Sequence, residues 1–299
     1  MTIVTGKGGT GKSVITAALG VDAASRGHRV LLAETHGRTD VARLLGAAPG
    51  PGDAHGHAER ELAPGLHHVS IDTDQVLAEY LEHELPGPVA ALAGRSRGLA
   101  TLVAATPGLR ELLTVGKIWE MAQPERRLPG GEPYDAVIVD APATGHGIAM
   151  FTAPATFAEA ARGGPVHDQA KTIATTIGDP ALTRFLAVAT PEELPVAETL
   201  EITGELQAVL PEQRLHAVIV NRLLTKLFSA ADRERLAAAG SDPVIVAALT
   251  LADQRAEQQH QLTRLRRGLP AGVAVRTVPA LTTAEVTGHD LAAIGRVAR

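Results

Sequence analysis

The chain has 299 residues and a mass of 31.0 kDa, and its 28 basic and 33 acidic residues give a formal net charge of −5. A chain of this length can bury a full hydrophobic core without a disulfide or a structural metal. It contains no cysteine, which excludes disulfides, thiolate metal sites, iron–sulfur clusters and a cysteine nucleophile.

Composition also narrows the partners that we expect. A slightly acidic balance argues against work on nucleic acid or anionic lipid, and an aromatic content of 2% leaves few side chains to stack on bases. Charged residues, prolines or glycines interrupt each apolar stretch before the length of about 20 residues that a membrane span needs. The sequence opens on residues 1–5 with neither the basic region nor the long apolar region that would suggest export. We therefore expect a cytoplasmic protein without an integral membrane segment.

Short runs of β-branched and apolar residues punctuate the chain, and their continuous hydrophobicity predicts strands that are covered on both faces. These runs are residues 2–5, 29–34, 68–71, 136–139, 186–189, 217–220 and 274–278. Stretches with helical spacing lie between them, for example at 12–26 and 192–209. The alternation predicts an α/β fold with a doubly wound, mostly parallel sheet.

A different pattern occupies residues 73–127, where apolar residues recur at helical spacing and no strand-like run interrupts them. We predict a helical insertion there on one side of the sheet, with a second helical patch at about 154–177 beside it. The Pro-, Gly- and His-rich residues 47–57 predict a loop. We expect residues 1–299 to form one domain.

Residues 6–13 directly follow the first predicted strand, precede a predicted helix and fit the phosphate-binding pattern GxxxxGK[ST]. In such a P-loop, backbone N–H groups surround a phosphate at a helix N-terminus, where the helix dipole favours negative charge. Lys12 would reach the terminal phosphates, and the hydroxyl of Ser13 would ligate Mg²⁺. The predicted phosphate-binding residues are Gly8, Gly9, Thr10, Gly11, Lys12 and Ser13.

Asp140 comes at the end of the predicted strand 136–139 and is followed by a Gly- and Pro-rich turn. An acid at the carboxyl end of a central strand beside a P-loop is placed to hold a Mg²⁺-bound water. The turn after it can move when the terminal phosphate leaves. The sequence therefore predicts a magnesium site at Ser13 and Asp140.

Lys7, next to the first glycine, turns the P-loop into the deviant Walker A signature KGGxGK[ST]. Further segments accompany it in the expected order over nearly the whole chain, namely 140–146, 191–199, 220–222 and 278–281. Together these features resemble the arsenical-pump/guided-entry ATPase family, and in particular its actinobacterial branch of anion-transporting ATPases.

The resemblance implies a P-loop ATPase fold that binds ATP or ADP with Mg²⁺, in a dimer whose subunits enclose two nucleotides. It implies catalytic roles for Lys7, Lys12 and Asp140. In the family the lysine at the position of Lys7 points to the partner's nucleotide, where a cation stabilises charge on the transferring phosphoryl group. Residues 144–146 match the second switch, which transmits nucleotide state towards the helical region.

The same resemblance assigns adenine recognition to two positions. Asn221 matches a strand-end asparagine whose amide both donates and accepts hydrogen bonds on the purine edge. Without the resemblance, the favoured interpretation of Asn221 is an asparagine that caps a loop. Pro279 lies in a loop that would flank the adenine through backbone contacts.

The sequence departs from the family after its second strand, where an aspartate polarises the attacking water. His36 stands at that position, and Glu34 and Asp40 are near but out of register. A neutral histidine can accept a proton near pH 7, so His36 is a candidate base and slow hydrolysis is expected. Because the chain lacks cysteine, it also lacks the thiolate arsenite site and the zinc clamp of its relatives.

Three hypotheses follow for function. The first is an ATPase switch, a homodimer or a heterodimer with a paralogue, in which hydrolysis changes how the helical layer holds an unknown client protein. The second is a regulatory subunit that binds ATP, hydrolyses it poorly and pairs with a catalytic paralogue. The third, a division-site or partition ATPase, is disfavoured by the short C-terminal tail and by the net charge of −5.

Overall fold

The computed structural model describes residues 1–47, 59–84, 108–125, 131–143, 147–160, 163–283 and 285–299. Several predicted segments lie wholly or partly outside these ranges. They are residues 48–57 of the predicted loop, 85–107 and 126–127 of the predicted insertion, 161–162 of the second helical patch, and the predicted switch at 144–146. Within the described ranges, the strands are β1 (Thr2–Thr5), β2 (Val30–Thr35), β3 (Arg60–Ala63), β4 (Leu66–Ile71), β5 (Ala136–Asp140), β6 (Arg184–Ala189), β7 (Leu215–Leu223) and β8 (Ala274–Pro279).

Helices separate most of these strands along the chain, as expected for an α/β protein. The first three are α1 (Lys12–Ser25), α2 (Asp40–Leu44) and α3 (Thr73–Glu84). The next four are α4 (Leu109–Met121), α5 (Gly147–Ala160), α6 (Pro165–Gly178) and α7 (Glu193–Val209). The last three are α8 (Ala230–Ala238), α9 (Pro243–Gly268) and α10 (Gly288–Ala298).

The described strands form one sheet in the order β3-β4-β2-β5-β1-β6-β7-β8, in which only the β3–β4 pair is antiparallel. This confirms the predicted α/β fold with a mostly parallel sheet, and each of the seven predicted strands is present. The edge strand β3 was not predicted, because its short sequence Arg-Glu-Leu-Ala carries two charges and is only partly buried.

The two faces of the sheet bury separate hydrophobic clusters. Along β1, Ile3 points into one cluster and Val4 into the other, as the period of two in a strand requires. The Ile3 cluster includes residues of α4, α5, α6 and α7, whereas the Val4 cluster includes residues of α1 and α10. Both faces of the central strands are therefore buried against apolar side chains, which explains the continuous hydrophobicity of these strands.

The helices α3, α4, α5 and α6, here called the helical layer, pack against one another on the Ile3 side of the sheet. α3 and α4 fall within the predicted insertion, and α5 begins before the predicted second patch. In this layer Lys117 Nζ lies 2.7 Å from Glu79 Oε1 and 3.0 Å from Glu120 Oε2. Across the described ranges, no helix combines the length and apolarity that crossing a bilayer requires.

β1 sits in the middle of the sheet, with β5 on one side and β6 on the other. The chain leaves β1 for β2 on the β5 side and later crosses to β6, so strand order reverses around β1. Parallel strands that diverge in this way leave a crevice outside their carboxyl ends. The loops that follow β1, β2, β5, β7 and β8 all leave the sheet at this edge.

Candidate functional site

The P-loop joins β1 to α1 and brings its residues against the end of β7. Gly11 is the N-cap of α1 and has a left-handed φ of 95°. A Cβ atom at this position would lie 2.3 Å from Asn221 Nδ2, so both the backbone angle and the close approach require glycine. The amide of Asn221 thereby lies directly against the start of the helix.

Lys12, the second lysine of the P-loop, is folded back over the loop. Its side chain is buried, and Nζ donates to the main-chain oxygen of Lys7 at 3.0 Å. The Thr10 hydroxyl donates to the same oxygen at 2.9 Å. Burial lowers the pKa of Lys12, and the nearby Arg38 acts in the same direction while Asp140 opposes it. The ammonium group is thus held at the N-terminus of α1 on a weak internal acceptor.

Ser13 and Asp140, the two predicted magnesium ligands, are in contact. The Ser13 hydroxyl donates to Asp140 Oδ2 at 2.7 Å, and the Asp140 side chain is completely buried. Its other oxygen, Oδ1, has no hydrogen-bond partner within the described part of the chain. Burial raises the pKa of Asp140, against the opposing effects of Arg38 and the Ser13 hydroxyl. A buried carboxylate oxygen beside a hydroxyl fits Mg²⁺, which prefers oxygen ligands.

Two carboxylates flank the turn between β2 and α2, Glu34 in β2 and Asp40 at the start of α2, and each has a partner within the chain. Glu34 is fully buried and accepts hydrogen bonds from the backbone N–H groups of Asp40 and Val41 at 2.9 and 3.0 Å. Its Oε2 also lies 2.8 Å from His68 Nε2. Asp40 instead pairs at the surface with Arg43. Both carboxylates are therefore engaged in holding α2.

His36 lies in an exposed turn directly after β2. Its φ of 62° is left-handed, which is uncommon for a residue with a side chain. Nδ1 lies 3.1 Å from the Thr35 hydroxyl oxygen, so the ring is held next to its own strand end. The same turn brings Arg38 to Asp140, since Arg38 Nη2 lies 3.2 Å from Oδ2. The sequence analysis missed Arg38, because it lies in no motif and only the fold joins β2 to β5.

Lys7 makes a contact within its own chain. Its Nζ donates to Glu198 Oε1 at 2.7 Å. The Lys7 side chain is 31% exposed and the Glu198 side chain 25% exposed. Glu198 belongs to α7, in the segment 191–199 that carries part of the resemblance. Its Oε2 is buried without a hydrogen-bond partner in the described ranges. Glu198 is therefore an internal counter-ion for Lys7.

The predicted adenine residues share an open cleft of about 890 Å³ with Gly11. Asn221 Nδ2 donates to the Thr10 carbonyl at 2.9 Å, and Oδ1 accepts from the N–H of Arg222 at 2.9 Å. An amide has two N–H donors and two acceptor lone pairs, so each end of Asn221 keeps one for a ligand. Pro279 lines the same cleft at the end of β8.

The family model described as "Anion-transporting ATPase" matches residues 1–163, which include the P-loop, Arg38 and Asp140. The chain belongs to the anion-transporting ATPase family. Among its relatives, ATPase BagA of Mycobacterium tuberculosis is 38% identical over 226 residues, which cover 74% of this chain and 64% of BagA. Protein Rv2184c of the same organism is 27% identical over 265 residues, 76% of this chain and 59% of that protein. The chain thus spans less than two thirds of either relative.

The burial of Glu34 predicts that it stabilises this member of the anion-transporting ATPase family. Glu34→Ala should lower the free energy of unfolding by about 3 kcal/mol, because it leaves two N–H groups and His68 without their acceptor. Asp40→Ala, at the exposed start of α2, should cost less than about 1 kcal/mol. Urea denaturation of both variants measures the difference. Equal losses would contradict a structural role that is specific to Glu34.

Proposed function

We propose that this protein is a magnesium-dependent ATPase that works as a dimeric switch. The observation that carries the proposal is the contact of Ser13 with the buried Asp140 beside a complete P-loop, at the point where strand order reverses. P-loop ATPases hold Mg²⁺ through this combination of a P-loop hydroxyl and a strand-end acid. Membership of a family of ATPases supports it.

Different residues of the site would bind different parts of the nucleotide. The N–H groups of Gly8, Gly9 and Gly11 would surround the β-phosphate at the N-terminus of α1, and Lys12 would turn from the Lys7 carbonyl to the terminal phosphates. Ser13 and Asp140 would hold Mg²⁺, Asp140 through a water. When bound, the ion neutralises charge that develops on the phosphate oxygens. Either ATP or ADP can use these contacts.

The cleft beside Gly11 is suited to a nucleoside. Asn221 and Pro279 lie beside Gly11, so a ligand whose phosphates meet the P-loop would extend its base towards them. The spare N–H and lone pair of the Asn221 amide match a purine edge that presents an acceptor and a donor side by side. We assign adenine recognition to Asn221, with Pro279 flanking the ring.

Activation of the attacking water is assigned to His36. It is the titratable residue nearest in sequence to the end of β2 that is exposed, whereas Glu34 is buried and bonded. That engagement of the acidic residues also favours a second candidate function, a subunit that binds ATP, cleaves it poorly and depends on a catalytic paralogue. The rate of the isolated protein separates the two.

Lys7 is the residue that links hydrolysis to dimer formation. In a closed dimer it would leave Glu198 and approach the nucleotide of the partner subunit, where a cation stabilises the transferring phosphoryl group. Glu198 lies on α7, which contacts α5 of the helical layer. Release of Lys7 would therefore alter the contacts of α7 with the helical layer. This layer is the surface that we propose for an unknown client protein.

Single-turnover ATP hydrolysis with Mg²⁺ tests the activity. The wild type should convert bound ATP to ADP slowly, Lys12→Ala should be slower by roughly a hundredfold or more, and EDTA should abolish turnover. Lys171→Ala, an exposed lysine of α6, should match the wild type. His36→Ala at the wild-type rate would exclude His36 as the base. A wild type that binds ATP without hydrolysing it would instead favour the regulatory subunit.

The Lys7 contact predicts a rate that depends on protein concentration. Lys7→Ala should bind ATP normally but hydrolyse it roughly a hundredfold more slowly, because it removes charge stabilisation and leaves the P-loop intact. Glu198→Gln should reach its half-maximal rate at a lower protein concentration, since Lys7 is freed. Glu201→Gln, exposed on the same helix, is the matched control. Unchanged rates in Lys7→Ala would contradict this role.

Adenine recognition predicts a change in base preference. Asn221→Ala should lower the affinity for ATP by about tenfold, which is the value of one or two hydrogen bonds in a buried site, and should affect GTP less. Calorimetric titration with both nucleotides gives the ratio. If the two affinities fall equally, Asn221 acts through its bond to the Thr10 carbonyl and does not read the base.

A further inference from the structure

Arg38 lies where the loop after β2 meets the end of β5, and it contacts Asp140 at two points. Its Nη2 donates to the Asp140 main-chain oxygen at 2.9 Å and lies 3.2 Å from Asp140 Oδ2. Its Nε donates to the Thr35 carbonyl at 3.3 Å. One guanidinium therefore joins the ends of β2 and β5, since Nε contacts Thr35 and Nη2 contacts Asp140.

The same carboxylate oxygen serves two partners. Asp140 Oδ2 accepts the Ser13 hydroxyl at 2.7 Å and also faces Arg38, while Oδ1 lacks a hydrogen-bond partner among the described residues. A carboxylate with no solvent exposure needs a positive charge close to it, because an unpaired buried charge is strongly destabilising. Arg38 supplies that charge. The Arg38 side chain is itself 31% exposed, so part of it faces solvent.

We propose that Arg38 is a further nucleotide-binding residue, which holds Asp140 while the metal is absent and moves to the terminal phosphate when Mg²⁺ and ATP bind. The inference rests on the proposed function. A divalent ion held by Ser13, and by Asp140 through a water, would repel the guanidinium and supply the carboxylate with another positive charge, so it would weaken the contact of Arg38 with Oδ2. Arginine donors match phosphate oxygens in the same forked way that they match a carboxylate.

The surroundings favour a phosphate as the new partner of Arg38. Lys12 is next to Ser13 in the P-loop, and Ser13 and Arg38 share Asp140 Oδ2, so both cations belong to the site proposed for Mg²⁺ and the terminal phosphate. The two acids nearest to Arg38 in sequence are already engaged, because Glu34 is bonded to the backbone of α2 and Asp40 is paired with Arg43. A terminal phosphate between Lys12 and Arg38 would remove the repulsion between them. Arg38 would thereby distinguish ATP from ADP.

Calorimetric titration of ATP and of ADP, each with Mg²⁺ and with EDTA, tests the proposal. With Mg²⁺, Arg38→Ala should lower the affinity for ATP by about tenfold or more, as expected for hydrogen bonds to a charged group, and leave ADP within about twofold. The Mg²⁺ concentration that gives half-maximal strengthening of ATP binding should fall, because the competing cation is gone. Arg43→Ala, on the adjacent helix, should change neither quantity.

Retained ADP binding and a cooperative unfolding transition will show that the variant is folded. If Arg38→Ala unfolds, Arg38→Gln keeps a donor for the Asp140 carbonyl, removes the charge, and should give the same loss of ATP preference. A wild-type ratio of ATP to ADP affinity in the folded variant would overturn the role of Arg38 while leaving the ATPase proposal intact. Failure of the wild type to bind ATP at all would overturn both.

Discussion

The buried carboxylate of Asp140 is the group around which the other parts of the site are arranged. It ends β5, the strand between β1 and β2, so the P-loop after β1 and the turn after β2 reach it from either side. A charge without solvent contact costs several kcal/mol unless donors or counter-ions surround it. Ser13 supplies a hydroxyl and Arg38 a guanidinium, and together they fix the relative positions of three strand ends.

Features that depend on local sequence could be predicted. Seven strands follow from continuous apolar runs, and the P-loop from glycines and lysines at fixed spacing between a strand and a helix. The family match of residues 1–163 confirms the resemblance that these motifs suggested. The position of Asp140 also follows from sequence, because an acid that directly ends a buried strand must lie at the carboxyl edge of the sheet. By contrast, β3 carries two charges in four residues and has no such pattern.

Contacts between distant parts of the chain could not be predicted. Lys7 meets Glu198 across 191 positions, and Arg38 meets Asp140 across 102. Neither pair belongs to one helix face or one strand pairing, so no periodicity reveals it. Glu34 is similar, since in sequence it lies near the position of the family's catalytic aspartate and only the fold shows it buried against α2. The order of the strands in the sheet, which places β5 beside β2, creates these pairs. No local sequence pattern predicts that order.

These distant contacts share one property. Lys7 is held by Glu198, Lys12 by the Lys7 carbonyl and Arg38 by Asp140, so each cation near the P-loop already has an acceptor within the chain. Under the proposed function, phosphate oxygens would replace these acceptors as partners of the three cations. Each replacement would break a different contact within the chain. Because a ligand shifts a conformational equilibrium only by its differential affinity for the two states, these exchanged contacts are the ones that would couple nucleotide binding, as proposed, to movement of α7 and the β2–α2 loop.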